Sequence, residues 1–266
     1  MKSIIRHCTK FVFNGYSRIR LLLRRRALNK ILILGHIRSG STLLLHILAS
    51  HPDITGFGEN RMTYDKMEDF EKLVCQTLRH LRKLRMPETY WVDKIVHLRS
   101  FKVHDQIMRN SDVYAVFIVR DPHDSILSIR RNSDDDLAAS IQYYIGMLGE
   151  LERLGQLLPG KDRGFFLTYD QLLEDTNAVF SGLQRFLGLK VPLEETYRLL
   201  PTTGISLYGD WSENIKSGRI LRPPKDRPII IPEKAMAPAL EAYLRCSRTL
   251  RNHCTHLGPR NEIGTG

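Results

Sequence analysis

The spacing of apolar and polar positions predicts an alternation of strands and helices along the chain. Short, uninterrupted apolar runs are typical of strands buried on both faces, and each run here is followed by a segment with apolar residues at helical intervals. Strands are predicted at 31–34, 54–57, 90–92, 113–119 and 164–168. Helices are predicted at 43–48, 64–85, 97–110, after Asp121-Pro122, and at 136–157, 171–188 and 233–254. This order favours an α/β fold of three layers, a parallel sheet with helices on both faces.

A glycine-bounded turn joins the first predicted strand to its helix. Its sequence is Gly35-His-Ile-Arg-Ser-Gly-Ser-Thr42, with four residues between the two glycines. This is the spacing of the phosphate-binding P-loop, except that Ser41 stands where that loop carries the Lys that reaches β- and γ-phosphates. Backbone N–H groups at the helix start still favour an anion, and Arg38 adds a permanent cation. The expected fold is P-loop NTPase-like, with a nucleotide whose reactive end is not a triphosphate.

A second signal follows the predicted strand at 113–119. Arg120 leaves the end of this strand, and Ser128 lies about two turns into the next helix. A guanidinium and a hydroxyl that converge there could bind a second phosphate. Alternatively, Arg120 pairs with Asp121 or Asp124, and Ser128 is a residue of the helix surface. Because the loop already predicts an anion site, a nucleotide with two separated anionic groups is the preferred interpretation.

The loop, Glu59, Lys94 and Arg120 all follow predicted strands. In parallel sheets ligands bind at the carboxyl ends of the strands, so we expect these residues to form one site.

Charge divides the chain into an arm, residues 1–30, and one domain, residues 31–266. The net charge is +11, but residues 1–30 contain nine Lys and Arg and no Asp or Glu. The arm also has apolar residues at helical intervals. It could bind an anionic membrane surface, act as a transit sequence or dock on the domain as a solvated helix. Since the rest of the chain is nearly neutral, we expect no nucleic-acid partner.

Cellular location is predicted from what the sequence lacks. It has no apolar run near the ~20 residues of a membrane span, no secretory signal, no CxxC pair among its four cysteines and no Asn-x-Ser/Thr sequon. We therefore expect a cytoplasmic protein, with peripheral membrane contact if the arm binds lipid.

The two motifs together resemble those of the sulfotransferases that use 3′-phosphoadenosine 5′-phosphosulfate (PAPS). The segment Arg38-Ser-Gly-Ser-Thr42 is similar to their 5′-phosphosulfate loop, and Arg120 with Ser128 resembles their 3′-phosphate motif. Tyr169-Asp-Gln-Leu172 resembles a further segment of these enzymes, whose Tyr lies near the adenine base of the nucleotide. The pattern is most similar to the bacterial carbohydrate and tyrosylprotein enzymes.

This resemblance implies a PAPS donor and no required metal. It implies catalytic roles for Glu59 as base and for Lys94 and Arg38 as stabilising cations. The implied donor-binding residues are Arg38, Ser39, Gly40, Ser41, Thr42, Arg120, Ser128 and Tyr169. The implied acceptor is a hydroxyl or amine of a carbohydrate, glycolipid or peptide tyrosine.

Several alternatives stay open at the level of sequence. His104 and His97 are rival bases, and Lys94 could simply pair with Asp93 or Glu59. The chain could also be a P-loop nucleotide or small-molecule kinase, or a non-catalytic nucleotide-binding relative.

Overall fold

The computed structural model describes Gly15 and residues 28–81, 83, 87–97, 102–131, 136–204, 213–222 and 231–258. The arm therefore lies almost wholly outside the described residues, and its boundary at residues 30 and 31 stays a prediction. No helix in the described ranges is long and apolar enough to cross a membrane.

In this part of the chain, six strands form one sheet in the order β2-β3-β1-β4-β5-β6, and every neighbouring pair is parallel. The strands are β1 (Asn29–Gly35), β2 (Ile54–Thr55), β3 (Tyr90–Ile95), β4 (Val113–Val119), β5 (Gly164–Thr168) and β6 (Thr255–His256). The helices are α1 (Ser41–Ser50), α2 (Glu68–Leu81), α3 (Asp105–Met108), α4 (Pro122–Arg131), α5 (Leu137–Gln156), α6 (Tyr169–Glu174), α7 (Thr176–Leu187), α8 (Glu213–Lys216) and α9 (Glu233–His253), with a 3-10 turn at Lys161–Arg163. The predicted α/β class and parallel sheet are confirmed.

The sheet has a hydrophobic core on each face. Alternate residues of β1 point to opposite faces, so Leu32 enters one core and Ile33 the other. Residues of α2, α5 and α9 complete the first core, and residues of α1 and α7 complete the second. Burial on both faces explains why these strands read as continuous apolar runs.

Apart from shifted ends, such as those of the helix predicted at 64–85 and observed as α2 (Glu68–Leu81), two helix predictions were wrong in part. In 97–110, helix is confined among the described residues to α3, while Val103 forms a parallel bridge with Tyr64. The segment predicted as one helix at 171–188 is α6 and α7, separated at Asp175. Helix α6 begins early because Thr168 and Gln171 form a reciprocal capping box. The left-handed Gly188 ends α7 as predicted.

Candidate functional site

The loop between β1 and α1 exposes the start of a helix. Gly40 precedes α1 in the left-handed region with φ 87° and supplies no side-chain cap, and the first turn contains no acidic residue. The N–H of Leu44 bonds back to the Gly40 carbonyl, so the N–H groups of residues 41–43 precede the helical ladder. Together with the helix dipole, they favour an anion at this end.

Tyr169 packs directly on the loop. A Cβ added at Gly40 would lie 2.2 Å from Cδ2 of Tyr169, so only glycine leaves room for the ring there. The Arg120 guanidinium lies 4.6 Å from the centroid of the same ring. Tyr169 therefore lies in contact with both candidate anion-binding motifs.

The two motifs also contact each other. Arg38 Nε donates to Ser128 Oγ at 2.9 Å, and Arg120 Nη1 donates to the Arg38 carbonyl at 3.5 Å. Arg38 adopts the left-handed φ of 67°, a conformation that few residues other than glycine adopt. Arg120 also lies 3.6 Å from Asp124, so the ion pair considered as an alternative forms as well.

Two buried polar atoms of this region have no hydrogen-bond partner among the described residues. They are Ser39 Oγ, beside Gly35, and Nε of Arg120. Buried donors are rarely left unpaired in proteins, and both can donate to an anion. The arrangement fits a ligand with phosphate or sulfate oxygens.

His36 connects the loop to the end of β4. Its Nδ1 donates to the Ile37 carbonyl at 2.8 Å, and its Nε2 accepts from the backbone N–H of Arg120 at 3.3 Å. Burial lowers the pKa of His36 to about 4, with the nearby Arg120 charge acting in the same direction and the Ile37 bond opposing it. The neutral ring thus fixes the loop and Arg120 relative to each other.

A buried ion pair lies beside the helix start. Lys94 Nζ is 2.7 Å from Glu59 Oε2 and donates to Thr42 Oγ1 at 3.0 Å. The Lys94 and Glu59 side chains are only 3% and 4% exposed. Lys94 lies inside β3, whereas the sequence analysis predicted that it follows the strand. It therefore brings an ammonium from the neighbouring strand to the loop that lacks its own Lys.

Asp93 anchors the segment that carries Glu59. Its Oδ1 accepts from Asn60 N at 3.2 Å and Nδ2 at 2.9 Å, and its Oδ2 accepts from the Tyr64 hydroxyl at 2.6 Å. Burial raises the pKa of Asp93, and these hydrogen bonds oppose that effect. Tyr64 itself is fully buried in the core.

The structure separates the two rival histidines. His97 Nε2 lies 3.6 Å from Glu59 Oε1, and its side chain is 37% exposed. His104 instead caps α3, where it accepts a hydrogen bond from Gln106 N. It lines a cavity with Asp65 and Arg153, away from Glu59 and Lys94. His97, and not His104, therefore lies beside the buried ion pair.

The sequence analysis did not predict a role for His46, because its apolar neighbours in α1 are typical of a core residue. Its Nδ1 lies 2.8 Å from the Thr42 carbonyl, and its Nε2 lies 2.7 Å from Thr203 Oγ1. It thus joins α1 to the segment that ends at Gly204. Among the described residues, no group of three or more His, Cys, Asp or Glu side chains could hold a metal ion.

Residues 30–115 match a family model described as the sulfotransferase family. The matched range includes the loop, Glu59 and Lys94, whereas Arg120, Ser128 and Tyr169 lie beyond it. The match confirms the resemblance to sulfotransferases for this part of the chain. No curated protein matches the chain significantly.

The solved structures that share the fold include two sulfotransferase domains. The sulfotransferase domain from the Synechococcus PCC 7002 olefin synthase has a TM-score of 0.59 and 20% identity, covering 84% of this chain and 96% of that one. The sulfotransferase domain from the curacin biosynthetic pathway has a TM-score of 0.59 and 17% identity, covering 84% and 98%. At these identities the likeness concerns the fold.

Proposed function

We propose that this chain moves a sulfuryl group from PAPS to an acceptor hydroxyl or amine. The match of residues 30–115 to the sulfotransferase family and the shared fold support this reaction. The observation that carries the proposal is the contact of Arg38 with Ser128, because it joins the loop to the second motif in one anion-binding surface. A donor with separate 5′ and 3′ anionic groups matches such a surface.

The donor is proposed to lie across the loop. The N–H groups at the start of α1 and the Ser39 hydroxyl would hold the 5′-phosphosulfate, with Ser41 and Thr42 at its edge. Ser128 and the Arg120 guanidinium would hold the 3′-phosphate. The unpaired Ser39 Oγ and Arg120 Nε support this fit. Since the leaving group is a monophosphate, Ser41 suffices where a triphosphate would need Lys.

Glu59 is the proposed base and Lys94 the proposed stabilising cation. Glu59 would accept the acceptor proton as the acceptor oxygen attacks sulfur and the bond from sulfur to the 5′-phosphate oxygen breaks. Lys94 lies between Glu59 and Thr42, so its ammonium could neutralise charge that develops on the leaving oxygen. Arg38 is proposed to contribute a second positive charge from within the loop.

Calorimetry with two nucleotides tests the donor. We expect 3′-phosphoadenosine 5′-phosphate to bind without metal, and ATP with magnesium to bind at least about 100-fold more weakly, since a second phosphate contact would be lost. Preference for ATP with magnesium would instead identify a kinase.

Transfer of radiolabelled sulfate from PAPS to a panel of acceptors tests the reaction. The panel should contain carbohydrates, glycolipids and tyrosine peptides, which are the acceptor classes we propose, beside simple phenols and amines. Tight nucleotide binding without transfer to any of them would indicate a non-catalytic relative.

We also propose a cytoplasmic location with peripheral membrane contact through the arm. Three of the four cysteines, Cys75, Cys246 and Cys254, are buried free thiols, which agrees with a reducing compartment. Co-sedimentation with anionic vesicles should weaken when Arg24, Arg25 and Arg26 are changed to Gln in the full chain. Equal sedimentation of wild type and variant would argue against the arm as the anchor.

A further inference from the structure

We propose that His97 removes the proton from Glu59 between turnovers and passes it to solvent. This inference rests on the proposed function, because it concerns the proton that Glu59 accepts from the acceptor. His97 would not itself activate the acceptor. It would regenerate the base.

The need for a relay follows from burial. The Glu59 and Lys94 side chains are 4% and 3% exposed, so a proton on Glu59 has little direct access to water. The His97 side chain is 37% exposed and is therefore in contact with both Glu59 and solvent. It follows β3 by two residues, so the strand that carries Lys94 also positions this ring.

The two carboxylate oxygens of Glu59 have different neighbours. Oε2 lies 2.7 Å from Lys94 Nζ, whereas Oε1 lies 3.6 Å from His97 Nε2. The distance between Oε1 and Nε2 is longer than a hydrogen bond. One bridging water could connect the two atoms, or the distance could shorten when substrate binds, as is usual for catalytic hydrogen bonds. Oε2 can thus keep its contact with Lys94 Nζ while Oε1 takes up and releases the proton.

The charges that face His97 suit a proton acceptor. They are Glu59 and Arg61, from the segment after β2, and Lys94 from β3. Burial lowers the pKa of His97, Arg61 and Lys94 lower it further, and Glu59 opposes them. The ring is therefore neutral near pH 7 and can take a proton at Nε2.

The proton balance is complete without a further reactant. When the acceptor O–H bond breaks and its oxygen bonds to sulfur, the proton moves to Glu59 and the electron pair of the broken sulfur–oxygen bond leaves with the nucleotide. The proton then moves from Glu59 to His97, which restores the carboxylate and forms an imidazolium. The imidazolium releases the proton to water.

Comparison of single-turnover and steady-state rates tests the relay. In His97→Gln, the first turnover should proceed at the wild-type rate, because Glu59 starts as a carboxylate, while kcat falls at least about tenfold. The KM for PAPS should not change. Added imidazole should restore kcat in proportion to its free-base concentration, so that rescue increases as the pH rises through the pKa of imidazole.

Controls separate this inference from the proposed function. His253→Gln, at the end of α9, should match the wild type in every measurement. Glu59→Gln should lose the first turnover and should not be rescued by imidazole. An unchanged kcat in His97→Gln, or an equal loss in its first turnover, would overturn the relay while sulfuryl transfer by the wild type stands. Absence of transfer by the wild type would overturn the proposed function and the relay with it.

Discussion

Arg38 and Ser128, 90 residues apart in the chain, are joined by a hydrogen bond of 2.9 Å from the guanidinium Nε to the hydroxyl. The bond brings a side chain of the loop after β1 to a side chain of α4, which follows β4. Because β1 and β4 are neighbours in the sheet, the two elements meet at the same edge. A ligand bound to one of these residues would therefore contact the other.

Ser128→Ala should weaken binding of the nucleotide that carries a 3′-phosphate. Loss of one hydrogen bond to a charged group costs about 1.5–3 kcal/mol, which corresponds to roughly 10- to 150-fold in affinity. Calorimetry with 3′-phosphoadenosine 5′-phosphate measures the loss, and adenosine 5′-phosphate serves as the control ligand. Equal losses for both nucleotides would remove Ser128 from the 3′-phosphate site.

The buried pair of Glu59 and Lys94 should show strong coupling in a double-mutant cycle. Glu59→Gln or Lys94→Met alone leaves one buried charge without its partner, and each should lower the free energy of unfolding by roughly 3–5 kcal/mol. The double variant should recover most of that loss. Urea denaturation followed by circular dichroism measures these energies.

Activity should not follow stability in that cycle. If Glu59 is the base, Glu59→Gln and the double variant should both lose turnover by about 10²–10⁴-fold. Restored turnover in the double variant would mean that Glu59 has a structural role alone. Additive stability losses would mean that the pair is not coupled.

Gly40→Ala should disturb both the loop and Tyr169. The added methyl would require left-handed backbone at φ 87° and would lie 2.2 Å from the tyrosine ring. We expect a stability loss of at least about 1–2 kcal/mol and weaker nucleotide binding. When Tyr169 is also changed to Ala, Gly40→Ala should lower the stability only by the cost of the left-handed backbone.

Gly149→Ala is the matched control for this test. Gly149 lies within α5, and a Cβ added there meets nothing within 4 Å. Since alanine is the better helix former, this variant should gain roughly 0.5–1 kcal/mol. An equal loss in Gly40→Ala with and without the Tyr169 ring would show that the ring contact is unimportant.

Stability should depend on pH through His36. Its pKa is lowered to about 4 in the folded protein, so the unfolded chain binds the proton more readily. The stabilising contribution is therefore complete above the unfolded pKa of about 6.5 and is lost as the pH falls from there to about 4, a loss on the order of 3 kcal/mol.

Urea titrations of the wild type and of His36→Asn between these pH values isolate this contribution. The variant should be less stable at pH 7 but should lose less stability on acidification. Parallel curves would show that His36 is not the responsible group.

Strands with two buried faces were the easiest elements to predict. The ranges 113–119 and 164–168 coincide with β4 and β5, because burial on both faces leaves no polar interruption. The helix predicted at 97–110 was wrong because Val103 is apolar as a buried residue of the core, where it forms a backbone bridge with Tyr64, far away in sequence. Periodicity does not distinguish such a contact from a helix face.

The candidate site was predictable in its composition but not in its contacts. Residue type and position near the end of a predicted strand indicated Arg38, Glu59, Lys94 and Arg120 as candidates, although Lys94 lies inside β3. The bond from Arg38 to Ser128 and the position of His97 beside Glu59 depend on how distant strands and loops meet. His46 gave no signal at all, since a histidine in an apolar helix is usually part of the core.

The register of β3 against β1 determines the sign of the charge beside the loop. Lys94 is paired with Ile33, and the preceding residue Asp93 with Leu32, so the two charges face opposite sides of the sheet. A slip of one residue would exchange an ammonium for a carboxylate at the start of α1. The backbone hydrogen bonds between these two strands would thus contribute electrostatically to the proposed anion binding, although no atom of those bonds needs to touch the anion.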